Sequence, residues 1–590
     1  MAEKLGLRTE RIRYDNGETK YVRGVYGDIN NIRRLKISGP ISGEDFAVLR
    51  FLGGYSEWKD ARNCAAKLEY LDLYDARVVK SDAIFAEDRW FATDDKVKKD
   101  DVLPPFALRR AYALKTLILP KTLTEIDTRS LMECLALETV VVGDDIQTVN
   151  WSAFDDDASL TRLYLLATKK PKMDADNWFW RNMCNNYNPT FDAFYVRPSI
   201  YNDYIGDADY VGSSWQRTNN ITTGIFKDDE SFAAFASHAA ATEDDLVGVD
   251  DVSGWFNDRA GIKDLTPLRY TAVTELKAAD IRPLAQLERI ALPMPLDSIE
   301  ENSFANAKGL RWADFMMCMP TVIGQLRNGG LRNVGLSENT LCFMPSEYGE
   351  TQEVNVVVGD TTSTMNCASY RLVDGQDYDV PYAFKAAQVE NTRTLGKSTA
   401  PYTICLPYDL PVPNGAKAYK LSGRSSTELV FTQTLETLEA LQPYLIWTTN
   451  GDALLNTGAA DIPTSGGMTY GHQHDAPGFS MRGTLSGISN AEAAELGAYT
   501  LQQDGKWHPV MDDTDVHRAA TILPYRAYLL ENRRPGARAI GMTLEGTTGI
   551  EQLRTIDSDG TERVYDLNGR QLSAPTKGIS IINGRKIISK

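Results

Sequence analysis

Long apolar runs are missing from this chain of 590 residues, and so are the common metal and nucleotide motifs. No run of about 18 apolar residues is present, the length that a helix needs to cross a bilayer, so we predict no membrane-spanning segment. The seven cysteines form no CxxC pair, which argues against a zinc ribbon or a thioredoxin-type site. There is no GxSxG elbow, P-loop or HExxH sequence. We therefore predict no cofactor, no metal ion and no enzymatic activity.

Basic residues are fewer than acidic ones. Lys and Arg number 63 against 80 for Asp and Glu, which gives a formal net charge of −17. A nucleic-acid-binding surface needs clustered Lys and Arg to neutralise phosphates. The composition therefore predicts no nucleic-acid partner.

Apolar residues recur with a period of 23 residues in the first half of the chain. Leu117 is followed at this interval by Val140 and then by Leu163. The same offsets return in a distant segment, at Leu287, Ile290, Leu292, Ile299, Phe304 and Leu310. A fixed period predicts a solenoid, in which short LxxLxL strands stack and their apolar side chains share one core.

Looser copies of the pattern flank these two regions. Residues 32–37 and 68–73 are predicted strands, and residues 331–336 and 341–343 are predicted final strands. Between the first two, Ser42 precedes acidic residues and an apolar run, which predicts a capped helix.

Residues 113–166 and 281–345 resemble the BspA-like leucine-rich repeats of Bacteroidetes and spirochaete surface proteins. The family pattern stands here as Leu114-Lys-Thr-Leu-Ile-Leu-Pro120 and as Leu287-Glu-Arg-Ile-Ala-Leu-Pro293. Ser152-Ala153-Phe154 and Ser303-Phe304-Ala305 supply its middle. Long insertions at about 74–107 and 167–280 depart from the family and imply two repeat blocks. Phe194 to Pro198, with Tyr201 and Tyr204, is similar to the strand and helix that end such blocks.

From about residue 365 the sequence alternates between short β-prone runs and turn residues. The runs are Tyr402–Pro407, Ala418–Leu421, Pro443–Trp447, Ala498–Leu501 and Ala527–Leu530. This pattern predicts an antiparallel β-sandwich or barrel.

The last segment carries two hairpin signals. Asn568-Gly569 and Asn583-Gly584 each lie between β-prone runs, and Asn-Gly favours a tight turn because both residues accept positive φ. The segment also resembles the C-terminal sorting domain of the Bacteroidetes type IX secretion route, through Tyr565 to Arg570, Lys577-Gly578-Ile579, Gly584 and the basic end. Residues 1–5 have no apolar signal core, so the chain is either cytosolic or has lost a leader. The sorting resemblance implies export and favours the second reading.

These patterns predict an α+β, mostly β fold, in which a leucine-rich-repeat solenoid in two blocks precedes an antiparallel β-sandwich and a small C-terminal β module. The predicted domains are an N-terminal cap (1–55), repeat block 1 (56–224), repeat block 2 (225–364), the β-sandwich (365–547) and the sorting-like module (548–590).

Two segments contain residue types that bind metal ions. His472 and His474 alternate in a β-prone run, which would put them on one face, but no third ligand follows. Asp557 to Gly560 resembles half a calcium loop that lacks its closing glutamate, so a turn is the preferred interpretation.

The concave strand surface of the repeats is the predicted binding site. In LxxLxL the residues between the leucines point outward, and Arg and aromatic side chains dominate interface energetics. The candidate residues are Arg162, Tyr164, Arg289, Arg311, Trp312 and Asp314.

We therefore expect a secreted or outer-surface binding protein, an adhesin or interaction scaffold that engages a protein or glycan on a host or bacterial surface. A glycan-binding component of a carbohydrate-uptake system and a hydrolase within the β domain remain the alternatives.

Overall fold

The computed structural model describes residues 1–13, 19–55, 66–88, 93–150, 153–173, 192–205, 220–327, 329–425, 427–434, 436–448, 451–466, 468–511, 520–532 and 538–545, and four short strands near the C-terminus. These residues are mostly strands with few helices, as expected for a β-rich fold. They divide into two compact units, which we describe separately. The first unit comprises Met1–Leu310 and Met317–Leu336, and the second comprises Arg311–Met316 and Ser337–Lys590. The five-part domain division stays a prediction.

A run of seven strands, all paired in parallel, dominates the first unit, and we call it the first strand run. Its members in spatial order are Arg34–Lys36, Tyr70–Asp72, Thr116–Ile118, Thr139–Val142, Arg162–Leu165, Ala193–Val196 and Asn220–Thr222. Leu117 pairs with Val140 and Val140 with Leu163, so the period of the sequence equals the register of the sheet. A second parallel set consists of Val102–Leu103, Glu125–Ile126, Thr148–Val149 and Lys172–Met173.

The inward side chains of the first strand run form one core. Leu71, Leu117, Val140, Leu163 and Phe194 belong to a single apolar cluster and are almost completely buried. At roughly 1.5–3 kcal/mol for each large apolar side chain removed from water, this burial favours stacking, because one strand alone cannot cover its apolar face.

The insertion after the second strand of the run carries a small sheet of its own. Ser81–Asp88 and Thr93–Val97 pair there, alongside Arg8–Arg13 and Thr19–Tyr26, while Gly39–Ile41 pairs with Ala76–Val78. Helix Gly43–Leu52 starts as predicted, and the Asp45 carboxylate accepts from the Ser42 backbone N–H at 3.0 Å. The strand-and-helix element expected to end the block is present at Ala193–Val196 and Tyr201–Ile205, but Asn220–Thr222 adds a further parallel strand.

The rest of the first unit repeats the parallel arrangement on a smaller scale. Asp264–Leu265 pairs with Arg289–Ala291, and Glu275–Leu276 pairs with Ser298–Ile299. Its helices are Asp229–Ala236, Glu243–Leu246, Ala278–Ile281, Pro320–Leu326 and Gly330–Asn333. The strand prediction for residues 331–336 is wrong, since Leu331 and Val334 are three residues apart and this spacing also fits a helical turn.

The second unit begins with one sheet and continues with two more. The first consists of Trp312–Asp314, Leu341–Pro345, Val356–Gly359, Met365–Cys367, Phe384–Ala386 and Ala460–Ile462. A second has the order Tyr402–Ile404, Tyr444–Thr448, Ala416–Arg424, Glu428–Thr434 and Gly541–Glu545. A third has the order Tyr470–Ala476, Phe479–Thr484, Arg526–Glu531, Ala498–Leu501 and Trp507–Pro509.

The second and third sheets share one apolar cluster, to which Leu429, Phe431, Met481 and Trp507 belong. The strand predictions for this half are confirmed. The expectation of purely antiparallel pairing is wrong at three places. Met365–Cys367 runs parallel to Phe384–Ala386, Tyr370–Leu372 to Val389–Asn391, and Glu428–Thr434 to Gly541–Glu545.

Smaller elements complete the second unit. Three pairs of short strands are Tyr370–Leu372 with Val389–Asn391, Thr394–Leu395 with Ala453–Leu454, and Leu410–Pro411 with Thr437–Leu438. Helix Asn490–Glu495 is capped at its N-terminus by Ser489. Near the C-terminus, Val564–Tyr565 pairs with Gln571–Leu572, and Gly578–Ile582 pairs with Arg585–Ser589, both antiparallel. The two predicted hairpins are confirmed, although their Asn-Gly turns lie outside the described residues.

Candidate functional site

The outward row of the first strand run contains the first two predicted binding residues. Arg162 is half-buried, with 34% of its side chain exposed, and forms an ion pair with Asp245. Tyr164 is completely buried, and its ring stacks on that of Tyr195 with the centroids 4.6 Å apart. Burial raises the pKa of the Tyr164 hydroxyl far above its usual value. The expectation that Tyr164 stands open on this surface is therefore wrong.

Tyr164 is not an exception within its row. Asp72, Ile118, Val141 and Tyr195 occupy the equivalent outward positions on neighbouring strands, and all of them are buried. They are absent from the inward core cluster. Some other part of the first unit must therefore exclude water from this side of the sheet.

Residues 228–259, which we call the covering segment, form ion pairs with side chains beside this row, and we infer that they exclude water from it. Asp245 forms an ion pair with Arg162, Asp258 with Lys121 at 3.2 Å, and Arg259 with Asp144. Burial opposes ionisation of Asp245, yet the Ala241 N–H, the Thr242 hydroxyl and Arg162 together lower the pKa of its carboxyl. The segment thus lies against the first strand run with charged groups paired along its length.

A buried ionic network holds both ends of the covering segment. Asp144 accepts from Arg259 at 2.6 and 2.9 Å and from Arg197 at 2.7 Å, and the Tyr74 hydroxyl donates to it at 2.9 Å. Glu230 accepts from the same two guanidiniums at 2.8 and 3.2 Å. Burial disfavours the charged form of Asp144 and so opposes a low pKa. The guanidiniums of Arg259 and Arg197 nevertheless keep the pKa of its carboxyl below the usual range. The buried charges of Asp144, Arg197 and Arg259 compensate one another, so breaking this network is expected to be costly.

Arg289 lies on strand Arg289–Ala291 of the first unit, which pairs in parallel with Asp264–Leu265. Its side chain is 30% exposed, and it faces Asp264 at 3.6 Å across the paired strands. It is half-exposed like Arg162, so these two residues keep part of the predicted surface accessible.

Of the remaining three predicted residues, Trp312 and Asp314 lie on one strand of the second unit and are buried, and Arg311 directly precedes that strand. Arg311 forms ion pairs with Asp377 at 3.2 Å and with Asp379 at 3.9 Å. Trp312 is 6% exposed and Asp314 is 3% exposed. Asp314 accepts from the Tyr382 hydroxyl at 2.7 Å, so the outward side of this strand is closed by residues of the same unit. The expectation of an open surface is wrong for Trp312 and Asp314.

A cleft of about 1100 Å³ opens in the second unit, and sequence reasoning missed it. It is bounded by residues 361–365, 381–385, 407–409, 440–441 and 459–464. These segments are turns and strand ends that lie far apart in the sequence, so no local pattern signals them. Its lining includes Tyr382, Lys385 and Asp461 together with several hydroxyl side chains.

The histidine pair does not form the arrangement expected from alternation. Both residues lie on strand Tyr470–Ala476, but His472 is exposed while His474 is 8% exposed. A bulge between Tyr470 and Gln473 breaks the alternation before His474. His474 contacts the Gln442 amide oxygen at 2.8 Å, and burial lowers the pKa of its ring to about 4. Within the described residues no three His, Cys, Asp or Glu side chains are grouped as metal ligands would be, and Asp557 to Gly560 fall outside that part of the chain.

The geometry thus defines a β-rich chain whose first unit pairs parallel strands at a repeat spacing and whose second unit carries an open polar cleft. No protein-family model matches the sequence, and no curated protein matches it. Among solved structures, one neighbour is a leucine-rich repeat protein from Bacteroides ovatus ATCC 8483, at 10% identity. The match covers 62% of this chain and 83% of that chain with a TM-score of 0.15. None of the helices in the described ranges is long and apolar enough to cross a bilayer.

Proposed function

We propose that this chain is a non-catalytic binding protein whose first unit is a leucine-rich-repeat solenoid of the BspA-like type. The observation that supports the proposal is the register of the first strand run, in which residues one sequence period apart are direct neighbours. Such stacking yields an extended surface of short strands, and proteins built in this way commonly bind partners with it.

The surface we assign to the partner is the half-exposed end of the outward row. Thr116, Thr139 and Arg162 are half-buried neighbours on successive strands, and Arg289 has a similar exposure on its own strand. Both arginines already face carboxylates, so their guanidiniums are oriented before a partner arrives. Arginine is favoured in interfaces because its planar fork binds carboxylates and stacks on aromatic rings. We propose a protein on a host or bacterial surface as the partner.

We further propose that the protein is secreted or held at the outer cell surface. The support is the resemblance of residues 548–590 to sorting domains of the type IX route. Fractionation of the native cells with an antibody against the second unit tests this, and a signal confined to the cytoplasm would contradict it.

A hydrolase in the second unit is the competing proposal that the sequence left open. His474, the buried histidine of that unit, has a depressed pKa and an amide partner, which suits a structural role. Turnover of a panel of esters, peptides and glycosides by the full chain would contradict a purely binding function.

The binding proposal is tested with the full chain and two arginine variants. Arg289→Ala removes a guanidinium from the assigned surface, whereas Arg282→Ala removes one that contacts only backbone carbonyls of residues 301 and 302. We expect Arg289→Ala to weaken binding to immobilised surface proteins of host or bacterial cells, while Arg282→Ala binds like the parent chain. Equal binding by both variants would refute the assignment of the surface.

A further inference from the structure

We propose that the cleft of the second unit is a binding site for a neutral oligosaccharide. This inference does not depend on the strand surface of the first unit, because every lining residue belongs to the second unit. It rests on three properties of the cleft, which are a rigid wall, a fixed aromatic ring and a mixture of exposed hydrogen-bond donors and acceptors.

The walls of the cleft are held in place by hydrogen bonds made within the chain. Asp360 accepts from the Thr362 hydroxyl at 2.6 Å and from the Ser363 hydroxyl at 3.0 Å, which fixes the turn at one side. Asp409 accepts from the Ala440 N–H at 2.7 Å, and the Thr464 hydroxyl donates to the Val380 carbonyl at 3.0 Å. A ligand therefore meets a preformed surface and does not have to order loops on binding.

Tyr382 supplies a ring of fixed orientation. Its hydroxyl donates to the buried Asp314, and its ring packs edge-on against Phe343 with the centroids 5.2 Å apart. The side chain is half-buried, so part of the ring borders the cleft. An aromatic ring combines a large apolar area with a defined geometry, and the C–H face of a pyranose can pack flat against it.

The polar groups that remain accessible suit a polyol. Thr361 and Thr364 are exposed, and each hydroxyl can both donate and accept. Lys385 and Asp461 form an exposed pair at 3.6 Å, which adds a strong donor and a strong acceptor. Sugar hydroxyls need donors and acceptors side by side, and this mixture provides them.

Charge decides against an anionic occupant. Asp409 and Asp461 outweigh Lys385 in the lining, and the chain carries a net charge of −17, so an anionic ligand would be repelled. A neutral oligosaccharide avoids this repulsion.

Calorimetric titration of the full chain with neutral hexasaccharides tests the proposal. The probes are an α-1,4-glucan, a β-1,4-glucan, a β-1,4-xylan and a β-1,4-N-acetylglucosamine chain, with a polygalacturonate and an unstructured octapeptide as the alternative ligands. We expect measurable binding of at least one neutral probe and none of the last two. Binding of the octapeptide or of the polygalacturonate alone, or of none of the probes, would overturn the proposal.

Variants then locate the binding. Tyr382→Ala should lower the affinity about tenfold or more, the loss expected when one large apolar contact is removed. Tyr470→Ala removes an exposed tyrosine elsewhere in the same unit and should leave the affinity unchanged. Tyr382→Phe keeps the ring and should retain binding, which separates the loss of the ring from damage to the contact with Asp314. Asp461→Ala changes an exposed acceptor without a buried partner and should weaken binding as well. Unchanged affinity in both Tyr382→Ala and Asp461→Ala would place the ligand outside the cleft.

Discussion

The buried network around Asp144 gives the sharpest prediction about the first unit, through the variant Arg259→Ala. The substitution removes four hydrogen bonds, two to Asp144, one to Glu230 and one to the Tyr74 hydroxyl, from a side chain that is 11% exposed. Asp144 retains Arg197 and Tyr74, so its charge is not left without compensation. We therefore expect the local free energy of opening to fall by about 2–4 kcal/mol, near the lower end of the cost of breaking a buried ion pair.

Hydrogen exchange measured by mass spectrometry is the appropriate assay, because a chain with two units has no single two-state unfolding transition. A loss of about 2 kcal/mol speeds exchange about thirtyfold where exchange follows local opening. We expect this acceleration in peptides from the covering segment and in the strand that carries Tyr164. The control Arg282→Ala should leave both unchanged. Parent-like exchange of the covering segment in Arg259→Ala would refute the conclusion that this network holds it on the strands.

Three further predictions concern the core and the titrating groups. Leu163→Ala should cost about 2–5 kcal/mol, seen as a lower urea midpoint for the first unit, because it opens a cavity among completely buried neighbours, while the surface variant Lys308→Ala should stay within about 0.5 kcal/mol. The depressed carboxyl pKa values of Asp144 and Asp245 stabilise the folded chain above the unfolded value of about 3.9, and this contribution is lost as the pH falls. The protection of the covering segment, taken relative to the intrinsic amide exchange rate at each pH, should therefore fall below about pH 4 and stay constant between pH 5 and 7. The pKa of His474 is about 4 in the folded chain and about 6.5 in the unfolded chain, so the unfolded chain binds the proton first as the pH is lowered. The free energy of unfolding should therefore fall as the pH drops from about 6.5 to about 4. His474→Gln should flatten this dependence, measured as the urea midpoint of the second unit.

The parallel strands of the first unit could be predicted because their signal is local and repeated. Leu117, Val140 and Leu163 occupy equivalent positions of successive copies, and a period of 23 residues leaves the strand register as the arrangement that buries all three. The strands of the second unit could be predicted equally well, since alternation and turn residues mark each of them. The strand prediction for residues 331–336 was wrong because a spacing of three residues does not distinguish a strand from a short helix.

The environment of the candidate binding residues could not be predicted in the same way. Alternation correctly places Tyr164 on the outward side, but its burial depends on the covering segment, whose contacts with the strands span dozens of residues of sequence. Trp312 and Asp314 are closed off in the same manner, Asp314 by Tyr382. The cleft depends on five separate segments that meet only in the folded chain. Sequence patterns report which face a residue occupies, whereas long-range packing decides whether that face stays open.

Disulfide trapping tests the central claim, that sequence repeats stack as neighbouring parallel strands, most directly. Thr116 and Thr139 are paired neighbours and both are half-exposed, so cysteines there should lie within the roughly 4.4–6.8 Å Cα separation that a disulfide needs. Arg162 lies one strand further along the same row, at about twice the 4.8 Å strand spacing from Thr116. We predict that Thr116→Cys/Thr139→Cys cross-links on mild oxidation of the folded chain, whereas Thr116→Cys/Arg162→Cys does not. Failure of the first pair, or equal cross-linking of both, would contradict the stacked register on which the proposed binding surface depends.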